Sequence, residues 1–560
     1  MKKTLLLVWT CLSLLSHAQE KMVSIEVDVK KELGELKPIW AWFGYDEPNY
    51  TYMKNGRKLL SELAELSPVP VYVRTHNLMT TGDAKPALKW GSTNMYTEDQ
   101  NGNPLYDWHI VDSIFDVYVQ LKMKPLAEIG FMPEALSSKP EPYKHNWDPA
   151  DNNSILFSGW AYPPNDYKKW SELIYQWMLH CVERYGKAEV ETWYWELWNE
   201  PNIGYLQAGD QLKTYCRMYD YASDAVKRGL PTARMGGPHI AGVANDFLKG
   251  FIIHCFHETN KATGKNGAPL DFIAFHAKGS PEVVNGVVQM GMKSQLSTVQ
   301  ENLRIVASFP EAKNLPLIIG ESDPEGCAAC GMNTHPSNAY RNGTMYSSYT
   351  AASVARMYEL NDFYGTNIIG AVNWSFEFEN QPWFYGFRDL ATNGVDKPVL
   401  NVFRMLGMMQ GQRLKVSGTL AYTVETICNS GVRSEKTDIN ALASATKDSV
   451  AVLLWNYHDK DLQDDGAQVI LTLKNISAQS AVLYHYRIDK SHSNSYELWK
   501  KMGSPQNPTT EQIQELEKSG QLEMMSEPAK IKIENNQYRI EMQLPRQAVS
   551  LVKLVFRSRP

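Results

Sequence analysis

Two acids in this chain stand where an apolar run gives out. Glu200 closes WYWELWNEPN, residues 193–202, whose aromatic lead-in is that of a strand buried on both faces. Pro201 then forbids continuation of a hydrogen-bonded ladder. A carboxyl pinned there among four aromatic side chains is costly to ionise. Desolvation raises its pKa, and an acid still protonated near neutrality can hand a proton to a leaving group. Glu321 ends LPLIIGE, residues 315–321, again an acid terminating an apolar, β-branched run. Asp323 and Glu325 follow within four residues and are its rivals, but only Glu321 sits at the strand's end.

Both acids belong to a larger rhythm. Apolar runs at 39–43, 69–74, 124–130, 193–199, 233–238, 271–276, 315–321 and 367–375 read as buried strands. Between them, 111–121, 166–184, 211–227, 246–259, 295–308 and 345–364 carry helical periodicity. Alternation of this kind fits a (β/α)8 TIM barrel, whose catalytic groups lie at the C-terminal ends of the strands. Glu200 falls there on the fourth strand and Glu321 on the seventh, across the barrel mouth from each other. His76 (VRTH), His276 (FIAFH) and Trp374 (AVNWSFEF) also stand at strand ends, and Lys278 lies two residues beyond His276.

After a further helix at 399–410 the period changes. Runs at 450–457, 467–473, 480–488, 529–533, 538–544 and 548–556 read as short strands, so the remainder is an accessory all-β sandwich domain with a helical insertion at 509–518. Residues 22–30 alternate apolar and polar like one more half-buried strand. The resulting division is a signal peptide at 1–18, an N-terminal strand at 19–35, a catalytic barrel at 36–411 and the sandwich at 412–560.

The signal peptide rests on Lys2 and Lys3, an apolar run from 5 to 15, and Ser16-His17-Ala18 as a cleavage site. Export to the periplasm or outside the cell is the expectation. That run is too short to span a membrane, and no other segment is long and apolar enough for a stable span. A net charge of −6 argues against nucleic acid or anionic membrane as partners. Of the cysteines, only Cys327 and Cys330 are close in sequence. A thioredoxin-like setting and further metal ligands are both missing around them, so a small loop disulfide is preferred, with free thiols as the alternative. No metal cluster, phosphate loop or Ser-His-Asp arrangement stands out.

The stretch 193–202 resembles the acid/base signature of clan A glycoside hydrolases, with Trp195 where phenylalanine is usual. Its flanks resemble glycoside hydrolase family 39, which holds β-xylosidases, α-L-iduronidases and some arabinofuranosidases. KPLAEIGFMPEAL (124–136), DFIAFHAKGSP (271–281), AVLLWNYH (451–458) and RIDKSHSNSYELWKKMGSPQNPT (487–509) extend the likeness over nearly the whole mature chain. The resemblance implies retaining hydrolysis, which needs two carboxylates about 5–5.5 Å apart. It puts the acid/base at Glu200, the nucleophile at Glu321 and a bond to the sugar 2-hydroxyl at Asn199. It also implies that the N-terminal strand joins the sandwich. In a sugar hydrolase His76 and His276 can hold hydroxyls or orient the nucleophile, and Trp374 can floor the subsite of the cleaved sugar. Lys278 aligns with a lysine that grips the uronate in iduronidases; a surface lysine is the rival reading.

One departure bears on the substrate. The strand 7 acid of the xylosidases and iduronidases is usually followed by an aromatic residue, and here Ser322 follows. The expected protein is a retaining exo-glycosidase that needs no cofactor and takes an oligosaccharide or polysaccharide. The lead activity is β-D-xylosidase, the commonest in the family. An α-L-arabinofuranosidase is the alternative, favoured by the altered loop 322–330, and an iduronidase-like uronidase follows, resting on residues 276–279. A non-catalytic glycan-binding protein is the reading from another class. The oligomeric state is open.

Overall fold

The computed structural model describes residues 22–66, 68–151, 155–462 and 466–556. The signal peptide at 1–18 lies outside the described residues. Eight parallel strands form one sheet: β1 (Trp42–Tyr45), β2 (Tyr72–Thr75), β3 (Lys124–Ile129), β4 (Tyr194–Leu197), β5 (Arg234–Ile240), β6 (Phe272–His276), β7 (Leu317–Glu321) and β8 (Ile368–Ala371), each beside the next. A bridge between Phe43 and Asn373 closes the cylinder. The Asn373 N–H donates to Trp42 O at 2.9 Å, and the Gly44 N–H donates to Asn373 O at 3.0 Å.

The first strand starts later than the apolar run 39–43 suggests. Ala41 N donates to Pro38 O at 3.0 Å, so the first part of that run is a turn, which an unbroken apolar pattern cannot reveal. The strands alternate with helices α1 (Lys54–Glu65), α2 (His109–Gln120), α3 (Tyr167–Tyr185), α4 (Gln211–Gly229), α5 (Asn245–His257), α6 (Met292–Ala307), α7 (Thr344–Tyr364) and α8 (Pro398–Gly407). Asp166 caps α3 by accepting the N–H groups of Lys168 and Lys169, and Asp210 caps α4 through Lys213. Among the described residues no helix is long and apolar enough to cross a membrane.

The all-β part is one continuous mixed ladder of ten strands. Met22–Glu35 lies inside it, antiparallel to Gln412–Gly418 and parallel to Ala467–Lys474. The ladder folds over a single core, in which Val23 and Ile25 join Val452, Leu454, Val469, Leu471 and Val552. Strands Gln412–Gly418 and Asp438–Ala445 belong to it and are additional to those read from the periodicity. The insertion contains two helices, Ser495–Lys501 and Thr510–Gly520; Thr509 and Gln512 form a capping box on the second.

The two parts meet along α7, which is buried for nearly its whole length. Arg356 Nη2 lies 3.1 Å from both carboxylate oxygens of Asp438, and the Trp455 Nε1–H donates to Asp438 Oδ2 at 2.9 Å.

Candidate active site

Inward side chains fill the barrel in tiers. The lowest is aromatic: the Trp42 and Tyr72 rings stack at 4.0 Å, and Tyr72 meets Tyr194 edge-on at 5.3 Å. The middle tier is ionic. Arg74 from β2, wholly buried, faces Glu128 from β3 and Glu196 from β4 at 3.2 and 2.7 Å. Gly44 keeps β1 flat at this level, because a Cβ there would lie 2.5 Å from the Trp374 ring.

The uppermost tier gathers the two strand-end acids. One ligand-type atom each from Glu200, His276 and Glu321 lie within 4.8 Å of one another. Glu200 is delivered by strained backbone, with φ of 63° at Trp198 and 43° at Glu200 itself. The Glu200 N–H donates to His239 O at 3.0 Å and holds that turn. His276 Nδ1 lies 2.9 Å from Glu200 Oε1 and 3.6 Å from Glu321 Oε1. Burial keeps the His276 imidazole below its ordinary pKa against the pull of both carboxylates, and its Nδ1 stands within hydrogen-bond distance of Glu200. Gly320 leaves room for this ring and for His239, whose Nδ1 would lie 2.2 Å from an added Cβ.

Lys278 reaches both acids, at 3.5 Å from Glu200 Oε1 and in close contact with Glu321 Oε2. It is therefore drawn into the site instead of standing in solvent. Two carboxylates and an imidazole at this separation are also a donor set for a divalent cation. The Lys278 ammonium already supplies the positive charge there, so the residues present make an ion-paired acid couple.

The charges correct one expectation. Burial pushes the Glu200 carboxyl up, as expected of a desolvated acid, but the Lys278 ammonium and the His276 N–H outweigh it and hold it at about 2. Burial raises Glu321 too, and Lys278, His276 and Arg74 together bring it below the ordinary carboxylate value. In the free protein both acids are ionised.

Asn199 Oδ1 accepts from Arg74 Nη2 at 3.1 Å, which turns its amide nitrogen away from the arginine. His76 is fixed from behind: its Nδ1 lies 2.7 Å from Asp46 Oδ1, and the other oxygen of Asp46 is 2.7 Å from Lys89 Nζ. Trp374 departs from its expected place. Only 1% exposed, it lies under His76 at 4.3 Å and under the Arg74 guanidinium at 4.9 Å, so it backs the floor and does not form its surface.

Asp323, one rival to Glu321, accepts the Trp374 N–H with both oxygens at 3.1 and 3.0 Å. Burial, only partly offset by Arg388, pushes its pKa up to about 6. Glu325, the other rival, pairs with Arg341 and accepts the Cys327 N–H at 2.8 and 2.9 Å. Both are committed to holding loops. Cys327 and Cys330 are joined as a disulfide, and the other described cysteines are buried and free.

A cleft of about 440 Å³ opens onto this tier. Glu200, Glu321 and Lys278 line it together with Lys89, Tyr205, Cys327 and Cys330. Lys89 and Tyr205, like Arg74, Asp46, Glu128, Glu196 and His239, are additional to the residues singled out from the sequence. A signal existed for three of them: Arg74, Glu128 and Glu196 are charges within strands that are otherwise apolar, and such charges must find partners inside a barrel.

Comparison with known proteins shows the family. The model of the glycosyl hydrolases family 39 matches residues 23–532. A β-xylosidase from Caldicellulosiruptor saccharolyticus is 24% identical over 518 residues, covering 90% of this chain and 93% of that protein. An α-L-iduronidase from Mus musculus is 22% identical over 528 residues, covering 88% and 75%. The crystal structure of a monomeric β-xylosidase from Caulobacter crescentus CB15 superposes with a TM-score of 0.73 at 20% identity, covering 96% of this chain and 100% of that one.

Proposed function

The chain belongs to glycosyl hydrolase family 39 and is a glycosidase, and from that premise we propose that it cleaves its substrate by retaining double displacement. The observation that supports this reading most directly is the pairing of Glu200 and Glu321 within 4.8 Å at the ends of β4 and β7. Two carboxyl groups this close leave no room for a water between them and a sugar, which suits a nucleophile and an acid/base. Glu321, held ionised by Lys278, His276 and Arg74, attacks the anomeric carbon. Glu200 protonates the departing oxygen and later takes the proton of the incoming water. The Asn199 amide, oriented by Arg74, donates to the sugar 2-hydroxyl oxygen.

The low pKa of Glu200 in the free protein sets a condition on this cycle. Lys278 must leave Glu200 when the sugar enters, and the negative charge of Glu321 then raises the acid. Once Glu321 is esterified that charge is gone, and Glu200 becomes the base.

The substrate we propose is a β-D-xyloside at the non-reducing end of a plant-type glycan, in keeping with the β-xylosidase relative. Lys278 supports a second reading, a uronide, since its ammonium is positioned to meet a sugar carboxylate in the cleft. The amino-terminal segment favours an exported protein. A panel of nitrophenyl glycosides and oligosaccharides tests the proposal. Xylose release, with β-xylose as the first product by NMR, is expected; release of a uronic acid would favour the second reading, and an α-xylose first product would overturn the retaining assignment. Glu200→Ala should slow poor leaving groups far more than nitrophenyl ones, because activated leaving groups need little protonation.

A further inference from the structure

The two carboxylates and Lys278 occupy only part of the cleft wall. The rest is built largely from two loops. Trp147, Pro149 and Leu156 come from the loop after β3, and Gly326, Cys327 and Cys330 from the loop after β7. Strands β3 and β7 are four apart in an eight-stranded barrel, so these loops face each other across its mouth. The end of the cleft formed by Glu200, Glu321 and Lys278 is the place for the sugar to be cleaved. The outer walls are thus left for what departs.

Both walls are tied to the barrel by hydrogen bonds of their described residues. The Trp147 N–H donates to His145 Nδ1 at 3.2 Å, and His145 Nε2 in turn bonds the Lys89 carbonyl at 2.9 Å. The loop is pinched at its base: the Asn146 N–H donates to Ile155 O at 3.0 Å, and the Ile155 N–H donates to Asn146 Oδ1 at 2.6 Å. Trp147 remains only half-buried and lines the cleft. Across from it, the buried Arg341 donates to Cys327 O at 2.9 Å and Cys330 O at 3.3 Å. The Arg388 N–H donates to Ala328 O at 2.8 Å. The disulfide closes this small loop into a firm, polarisable surface.

We propose that Trp147 and the Cys327–Cys330 disulfide form a leaving-group subsite, which grips the first sugar beyond the cleaved bond through its C–H faces. Indole stacks on the apolar face of a pyranose, and a facing wall of sulfur and backbone confines the ring. The natural substrate is then an oligosaccharide in preference to a simple alkyl glycoside. This assignment rests on the hydrolase reading above.

The test compares two substrates carrying the same cleaved sugar: a disaccharide or longer oligosaccharide, and the glycosyl fluoride, which has no leaving-group sugar. Turnover of the fluoride by the wild-type enzyme checks the hydrolase reading by itself, and its absence for every sugar would overturn that reading. For Trp147→Ala, the ratio of kcat/KM on the oligosaccharide to that on the fluoride is expected to fall about tenfold, the scale of one lost stacking contact. The Cys327→Ser/Cys330→Ser double variant should lower the same ratio. If the ratio stays at its wild-type value in both variants, whatever happens to the absolute rates, the subsite assignment is wrong.

Discussion

The Lys278 ammonium lies 3.5 Å from Glu200 Oε1, close enough to keep this carboxyl ionised in the free protein. With the His276 bond, that contact separates the charge state of the resting site from the one that the proposed cycle needs. Since kcat/KM reports the free enzyme and kcat the complex, the basic limb of kcat is expected at higher pH than that of kcat/KM. Replacing Lys278 by methionine removes the cation from both acids, so both pKa values rise and the whole kcat/KM profile moves to higher pH. An unshifted profile for Lys278→Met would mean that the lysine does not set the charge of the pair.

The proposed nucleophile can be distinguished from its neighbours by chemical rescue. Glu321→Ala should lose turnover by several orders of magnitude, and azide should restore it as a glycosyl azide of inverted configuration. Asp323→Ala should also lose activity, since Trp374 loses the acceptor of its N–H. Azide should not restore it. Rescue of the Asp323 variant in place of the Glu321 variant would reverse the assignment.

Acid stability follows from the same ionisation. Glu200 is held at about 2 in the folded protein, against an ordinary value of 4.5. As pH falls below that ordinary value the unfolded chain takes up a proton that the folded protein refuses, so the stabilisation is present above it and drains away as pH approaches about 2. Urea titrations should therefore show stability declining on acidification across this window. Glu200→Gln, which cannot titrate, should flatten the decline.

Arg74 carries the structural load of the middle tier. Its guanidinium contacts Glu196, Glu128 and Glu321 at 2.7, 3.2 and 3.3 Å, all out of water. Arg74→Met leaves these carboxylates without their cation and should cost about 3–5 kcal/mol of unfolding free energy, the usual penalty for breaking a buried pair from one side. Denaturant unfolding measures it, and a loss near zero would mean that Arg74 does not hold the tier together.

Much of this architecture is legible in the sequence because buried parallel strands are apolar throughout and end abruptly. That is why the sequence alone points to Glu200, Glu321 and His276 as strand-end residues. The same rule fails at β1, where an apolar turn runs straight into the strand, and at Gln412–Gly418, whose alternation is too short to stand out. Asp46, Lys89 and His239 were invisible for another reason. Each works through a partner distant in sequence, and nothing local marks Asp46 as the support of His76 or His239 as the neighbour of His276. Trp374 was found in the right place but at the wrong depth, since a strand-end position does not say whether a ring faces the cleft or lies beneath its floor.

The placement of Met22–Glu35 between two strands from the far end of the chain has a consequence for biogenesis. A ribosome delivers this segment first and its two neighbours hundreds of residues later. The barrel can close while the strand still waits, with an alternating apolar face and both backbone edges unpaired. During that interval it is the part of the nascent chain most open to mispairing or to a holding chaperone. Docking it completes the ladder, which without it is two fragments. An amino-terminal truncation reaching into residues 22–28 should accordingly be felt at the opposite end of the protein, in the cohesion of its last domain.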